Sequence, residues 1–176
     1  AEVAAAKTNK VKLRAIYDRL PTLTFFDPAC GCGNFLVIAY RELRRIENEV
    51  ITGLFDFAKK SQGLLDVSTL CRVKVSQFFG IEIDPSAVHI ARVAMWITDH
   101  QMNLEAARVF GTARPTIPLV DSATIVAGNA LQTDWAEVLK PSLCTYLLGN
   151  PPFIGKQNQT EAQKADMTAV CGAIRN

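Results

Sequence analysis

Four short apolar runs, each closing on a small or polar residue, constrain the fold of this chain more than any other feature. Thr22-Leu23-Thr24-Phe25-Phe26 closes on Asp27, and Gln77-Phe78-Phe79-Gly80-Ile81-Glu82-Ile83 ends in acid. Ala123-Thr124-Ile125-Val126-Ala127 closes on Gly128-Asn129, and Cys144-Thr145-Tyr146-Leu147-Leu148 runs into Gly149-Asn150. Apolar, mostly β-branched or aromatic runs of this length read as buried strands. Helical spacing lies between them. Residues 7–20 place Val11, Leu13, Ile16, Tyr17 and Leu20 along one stripe, decorated by Lys7, Lys10, Lys12 and Arg14, until Pro21 stops the helix. Asn34 is positioned to cap a helix reaching about Glu49, with Phe35, Ile38, Leu43 and Ile46 mostly inward. Asp84-Pro85 opens the next one, with Asp as cap and Pro in the first turn. Its small apolar face is Ala87, Ile90, Ala91, Ala94, Ile97 and Thr98. Residues 50–77 contain an amphipathic piece broken at Gly63, and 111–121 read as loop. Strands alternating with helices imply an α/β fold with a mainly parallel sheet covered on both faces. In such sheets ligands bind beyond the carboxyl ends of the strands.

Composition narrows the setting. The chain has 176 residues, which suits one domain with a real core. Its net charge is +2, so nothing marks a polyelectrolyte, although a local patch can still meet nucleic acid. The start lacks a secretory leader, and no apolar run approaches the ~20 residues of a membrane helix. Cys30, Cys32, Cys71, Cys144 and Cys171 show no framework spacing and read as free thiols in a reducing cytoplasm. Cys30 and Cys32 lack a second pair and a useful His, so no metal site is expected. His89, His100, Met95 and Trp96 read as surface or packing residues on the long helix.

The strand ends carry the chemistry. Gly31 and Gly33 allow positive φ and let the backbone approach a ligand. Leu36 stands where a dinucleotide fingerprint wants its third Gly, and no phosphate loop is present. Asp27 suits a ligand bearing an ammonium group. Glu82 is placed like the acid that takes a ribose diol in nucleotide folds. Asn129 can meet an adenine edge, or simply hold a turn. Asn150 and the Pro151 carbonyl offer two acceptors at one strand end, Pro152 stiffens the loop, and Phe153 offers a flat apolar face. That set fits a planar group bearing an NH2, such as a nucleobase amine or a side-chain amide. Together the four sites describe a nucleoside with an amino-acid tail beside an amine pocket, which S-adenosylmethionine fits.

Phe26-Asp27-Pro28-Ala29-Cys30-Gly31-Cys32-Gly33-Asn34-Phe35 resembles motif I of adenine-N6 DNA methyltransferases. Gly80-Ile81-Glu82-Ile83-Asp84 resembles motif II, Gly128-Asn129-Ala130-Leu131 motif III, and Asn150-Pro151-Pro152-Phe153 motif IV. This order matches the gamma class. The helix Ala91 to Asn103 and the tail Gly155-Lys156 to Lys164-Ala165-Asp166-Met167 are similar to the MmeI-like restriction-modification branch. The resemblance implies a Rossmann-like methyltransferase fold, present in part, over 22–176, with 1–21 leading into it and 47–77 as an insertion. It implies S-adenosylmethionine held by Asp27, Pro28, Ala29, Cys30, Gly31, Gly33, Asn34, Phe35, Glu82, Ile83, Asn129 and Ala130. It implies Asn150, Pro151, Pro152 and Phe153 acting on a flipped adenine of double-stranded DNA. Methyl transfer of this kind needs no metal and no cysteine nucleophile.

The chain departs from the pattern in three ways. The interval from Asp27 to Glu82 far exceeds the roughly 20 residues of a simple strand–helix–strand unit. Asn129 stands where Asp is common. The chain stops soon after motif IV, so the later strands, the target-recognition domain and the remaining domains of a parent polypeptide are expected elsewhere. A release-factor glutamine or a ribosomal RNA guanine is the rival substrate, since both use the same Asn-Pro-Pro-aromatic loop. A non-catalytic cofactor-binding fragment is the rival role. Arg41, Arg44 and Arg45 read as a solvated helix face, with phosphate contact as the other reading.

Overall fold

The first helix begins where the Asn9 side chain accepts hydrogen bonds from the N–H groups of Val11 and Lys12, both at 3.1 Å. The computed structural model describes residues 9–55, 70–110, 122–152 and 154–172. In it this helix, α1 (Lys10–Arg19), leads through a short turn containing Pro21 to β1 (Phe25–Asp27) and α2 (Asn34–Leu54). Then follow β2 (Phe78–Glu82), α3 (Pro85–Phe110), β3 (Thr124–Ala127), α4 (Trp135–Val138), β4 (Tyr146–Leu147) and α5 (Glu161–Cys171). The strands pair in the order β3-β2-β1-β4, every pair parallel. This is the α/β architecture the alternating pattern predicts. The chain steps outward from β1 to β3 and then returns to the other side of β1, so the strand order reverses between β1 and β4.

Side-chain alternation along the strands builds two apolar layers. Phe25, Phe78 and Ile125 face α2 and α3, where they meet Leu36, Tyr40, Val88, Ala91 and Met95. Phe26 and Ile81 face the other way and pack with Leu139, and Trp135 of α4 sets its ring edge-on to Phe26 at 5.5 Å. Phe25 stacks on Phe78 at 4.8 Å and on Tyr146 at 5.2 Å. These are also the residues paired across β2-β1-β4, so the stack reinforces the register, each pair contributing about 0.5–1.5 kcal/mol beyond burial. The buried Gln77 side chain donates to the carbonyls of Leu20 and Leu23 at 2.9 and 2.7 Å, tying the approach to β2 to the approach to β1.

Several local expectations are corrected. Gly33, not Asn34, is the residue before the first turn of α2; it has φ 81° and Asn34 is the first helical residue. Phe35, Ile38 and Ile46 are exposed, and of the predicted inward set only Leu43 is buried. The face that α2 buries includes Tyr40, Arg44, Glu47 and Asn48: Asp99 and Asn103 of α3 meet Tyr40 and Arg44, and Glu47 takes Arg44 and the N–H groups of Arg72 and Val73. Arg44 is therefore neither solvated nor free for phosphate. Ile90 and Ile97 of α3 are exposed while Val88, Met95 and Met102 are buried. Asp84 does cap α3, accepting from Ser86 N–H at 2.9 Å. Tyr146 and Leu147 are exposed rather than buried, since β4 is an edge strand of the described sheet. The extra length assigned to 47–77 starts inside α2; 56–69 and the loop 111–121 lie outside the described residues.

Candidate active site

Asp27 ends β1 and is fully buried. One carboxylate oxygen accepts from Ala29 N–H at 3.0 Å, and the other has no hydrogen-bond partner. Burial pushes its carboxyl up from the ordinary range, with Glu82 adding to the rise and the Ala29 bond opposing it. The backbone then turns through Gly31 at φ 54° and Gly33 at φ 81°. A Cβ on Gly31 would meet nothing within 4 Å, so the space over it is open, whereas one on Gly33 would lie 3.1 Å from the Ala91 Cβ of α3. The turn is fastened to β2. Cys30 N–H donates to the Ile81 carbonyl at 3.1 Å, and Gly31 N–H donates to Glu82 Oε2 at 2.8 Å. The other Glu82 oxygen accepts from Asp84 N–H at 3.0 Å. Cys30 is buried, and desolvation with the nearby Asp27 and Glu82 charges pushes its thiol up to about 12. It is no nucleophile at neutral pH.

The third strand end joins the same group. Gly128 N–H donates to the Glu82 carbonyl at 2.9 Å. Asn129 Oδ1 accepts from Leu131 N–H at 3.0 Å, while the Asn129 carbonyl takes the N–H groups of Gln132 and Thr133, both at 2.9 Å. Asn129 thus organises a turn that keeps Ala130 half-buried beside it. Ile83, next to Glu82, is 68% exposed, and Phe35 at the start of α2 is 48% exposed. Pro28 and Ala29 are half-buried.

The fourth strand end is delivered to the first. Tyr146 N–H and Leu148 N–H donate to the carbonyls of Thr24 and Phe26 at 3.0 and 2.9 Å. That register carries Gly149 to the Asp27 carboxylate. Gly149 has φ 150°, and a Cβ there would fall 2.6 Å from Asp27 Oδ1. Asn150, Pro151 and Pro152 follow it directly and are exposed; Phe153 lies outside the described residues. The backbone therefore sets the two-acceptor loop beside a buried, half-satisfied carboxylate and a glycine turn with open space over it.

Comparisons with known proteins identify the family and match the fold. The family model described as "MmeI, DNA-methyltransferase domain" matches residues 3–176. The chain belongs to this family. The solved structure of the Type IIL restriction-modification enzyme MmeI in complex with DNA is 51% identical, with a TM-score of 0.89 over 97% of this chain and 22% of that one. DNA methyltransferase A of Bacillus subtilis is 40% identical over 175 residues, 97% of this chain and 19% of the relative. A putative type II restriction enzyme and methyltransferase of Methanocaldococcus jannaschii is 30% identical over 146 residues, 81% of this chain and 11% of the relative. The chain thus spans about a fifth or less of the length of these relatives.

Three features of this MmeI-type domain escape sequence reasoning. Gly149 reads as an ordinary glycine until Asp27 is seen against it. Arg44 joins Tyr40, Asp99, Asn103 and Glu47 in a buried cluster spanning α2 and α3. Asp166 of α5 reaches the Asn129 turn. In each case a deciding partner (Asp27 for Gly149, Asp99 and Asn103 for Arg44, Asn129 for Asp166) is distant in the chain, where no local pattern points. Among the described residues, no helix is long and apolar enough to cross a membrane.

Proposed function

We propose that this chain is the cofactor-binding and base-presenting part of a DNA methyltransferase that uses S-adenosylmethionine and acts on N6 of an adenine flipped from double-stranded DNA. The observation that carries this reading is the placement of Gly149, the residue leading into Asn150, against the Asp27 carboxylate, which joins an amine-accepting loop to a site suited to an ammonium group. The residues fit the cofactor. The unpartnered Asp27 oxygen matches a cationic amino-acid end, and the space over Gly31 admits a ligand against the backbone. Glu82 has two backbone N–H bonds already, and a carboxylate offers about four acceptor positions, leaving two for a diol. Exposed Ile83 and Phe35 offer apolar surface to a base. S-adenosylmethionine, when bound, supplies a methyl group activated by its sulfonium.

This chain's own residues then bind and orient the acceptor. Asn150 and the Pro151 carbonyl accept the two N–H bonds of the amine, which draws its nitrogen toward tetrahedral geometry and aims its lone pair. Pro152 limits the loop's freedom, so orientation is held before the base arrives. Phe153 stacks on the base, a contact of about 1–3 kcal/mol. No residue is needed as a nucleophile, in keeping with the protonated Cys30.

Two measurements test the reading. Calorimetric titration with S-adenosylmethionine should show micromolar binding that Glu82→Ala removes. In the full-length protein, Asn150→Ala should nearly abolish labelling of DNA from radioactive cofactor while binding persists. Label appearing only in protein would refute the DNA reading, and retained turnover in Asn150→Ala would refute the role given to that residue.

A further inference from the structure

Helix α5 buries none of its residues, and its apolar Met167 and Val170 are 41% and 47% exposed. Its seat is set by a carboxylate instead. Asp166 Oδ2 accepts from Asn129 Nδ2 at 2.9 Å, and Gln132 Nε2 donates to both Asp166 oxygens at 3.0 and 3.2 Å. The amide of Asn129 is thereby fully oriented, with its oxygen turned into its own loop and its NH2 turned to α5. We propose that Asp166 is a positioning residue for methyl transfer. It latches the segment after the Asn150–Phe153 loop onto the loop Gly128–Thr133, so that filling the cofactor pocket and seating the catalytic loop become one event. This inference rests on the cofactor reading proposed above.

Two further observations support the coupling. The connection between the catalytic loop and α5 is short and internally bonded: Gln159 Nε2 donates to the Ile154 carbonyl at 3.0 Å, and Thr160 and Gln163 exchange reciprocal bonds at the start of α5. A shift of α5 is therefore passed as far as Ile154, at the foot of that loop. At its other end the latch stands on the turn whose Gly128 is bonded to Glu82. Two amides converging on one carboxylate also explain the residue type at 129. A carboxylate there would face Asp166 across about 3 Å and repel it.

The experiment uses the full-length protein and S-adenosylhomocysteine, with amide exchange read over residues 161–171. Binding should slow exchange there, and Asp166→Ala should remove that response. Because coupling is reciprocal, the same variant should also weaken S-adenosylhomocysteine binding about tenfold, the worth of one charge-assisted bond. Asn129→Asp should do likewise. The double variant Asn129→Asp/Asp166→Asn should recover both readouts to within about threefold, because the amide at 166 then donates to the carboxylate at 129 and still accepts from Gln132. Binding without any change in exchange over 161–171, or a double variant no better than Asn129→Asp, would overturn the latch alone. A folded wild-type protein that fails to bind S-adenosylhomocysteine would overturn the cofactor reading, and the latch with it.

Discussion

Arg44→Met is the substitution whose cost the structure sets most tightly. The Arg44 side chain donates to Tyr40 Oη at 2.8 Å, Asp99 Oδ1 at 3.2 Å and Asn103 Oδ1 at 2.9 Å. It also forms a close ion pair with Glu47 Oε2 at 3.2 Å. Burial works against its charge, but the groups around it, Tyr40 foremost, more than offset this and hold it cationic. Met fills much of the same volume, so the cavity left is small. What remains is two buried carboxylates, Glu47 and Asp99, without their cation. Removing one partner of a buried pair costs about 3–5 kcal/mol, a large part of the ~5–15 kcal/mol that holds a domain folded. With a urea dependence near 2 kcal/mol per molar, the unfolding midpoint of the 176-residue chain should fall by about 2 M. The pH dependence follows from Glu47, whose carboxyl burial pushes up from its ordinary 4.5 while Arg44 pulls it down. Loss of Arg44 removes the largest opposing influence and leaves only the Val73 and Arg72 N–H bonds and the Arg72 charge against burial, so the carboxyl rises further. A carboxyl raised on folding gives stability that is full below its unfolded value and lost as pH rises through the folded one. The deficit should therefore be small near pH 4 and grow toward pH 8. Adding Glu47→Gln and Asp99→Asn should restore most of the loss. A midpoint within 0.3 M of the parent at pH 7.5, on the same ~2 kcal/mol per molar scale, or a deficit that shrinks as pH rises, would refute the reasoning.

Other substitutions probe the site. Gly33→Ala places a Cβ at φ 81° and 3.1 Å from the Ala91 Cβ, so thermal unfolding should show a loss of about 1–3 kcal/mol. Asp27→Asn should raise the stability of the ligand-free chain at pH 7 by about 1 kcal/mol, because the raised carboxyl favours folding only below its ordinary 3.8 and that contribution is lost as pH rises. The gain should be absent near pH 3, and cofactor affinity should fall at least tenfold at pH 7. Cys30, with its thiol pushed up to about 12, should resist iodoacetamide at pH 8 while exposed Cys32 is alkylated; peptide mass spectrometry distinguishes the two.

What was legible in the sequence is what local chemistry writes. Apolar runs ending in Asp27, Glu82, Asn129 and Asn150 gave the parallel sheet, and the rule that ligands sit at strand ends gathered those residues. Asp84-Pro85 announced its helix, and Asp84 caps it. The inward face of α2 differs from the expected one because periodicity counts apolar residues, and this helix turns Arg44, Glu47 and Asn48 inward, Arg44 against Asp99 and Asn103 of a helix more than 50 positions away. Phe35 was exchanged for them on the surface. The edge position of β4 was illegible for a related reason: five apolar residues look the same whether one or two neighbours flank them. Asp166 lies on a helix that buries none of its residues and leaves its apolar Met167 and Val170 exposed, so no apolar stripe marks an inward face.

The close approach of Gly149 to Asp27 bears, on the proposed reading, on how members of this family diversify. Where the loop passes the Asp27 carboxylate it does so on Gly149, at which a Cβ would fall 2.6 Å from Oδ1, so no side chain of that residue sets the gap. On the proposed reading, the spacing between methyl donor and acceptor base is a constant of the scaffold. Recognition surfaces attached elsewhere could then change their preferred DNA sequence freely, since a new target would alter which base arrives and leave untouched the gap it must fit.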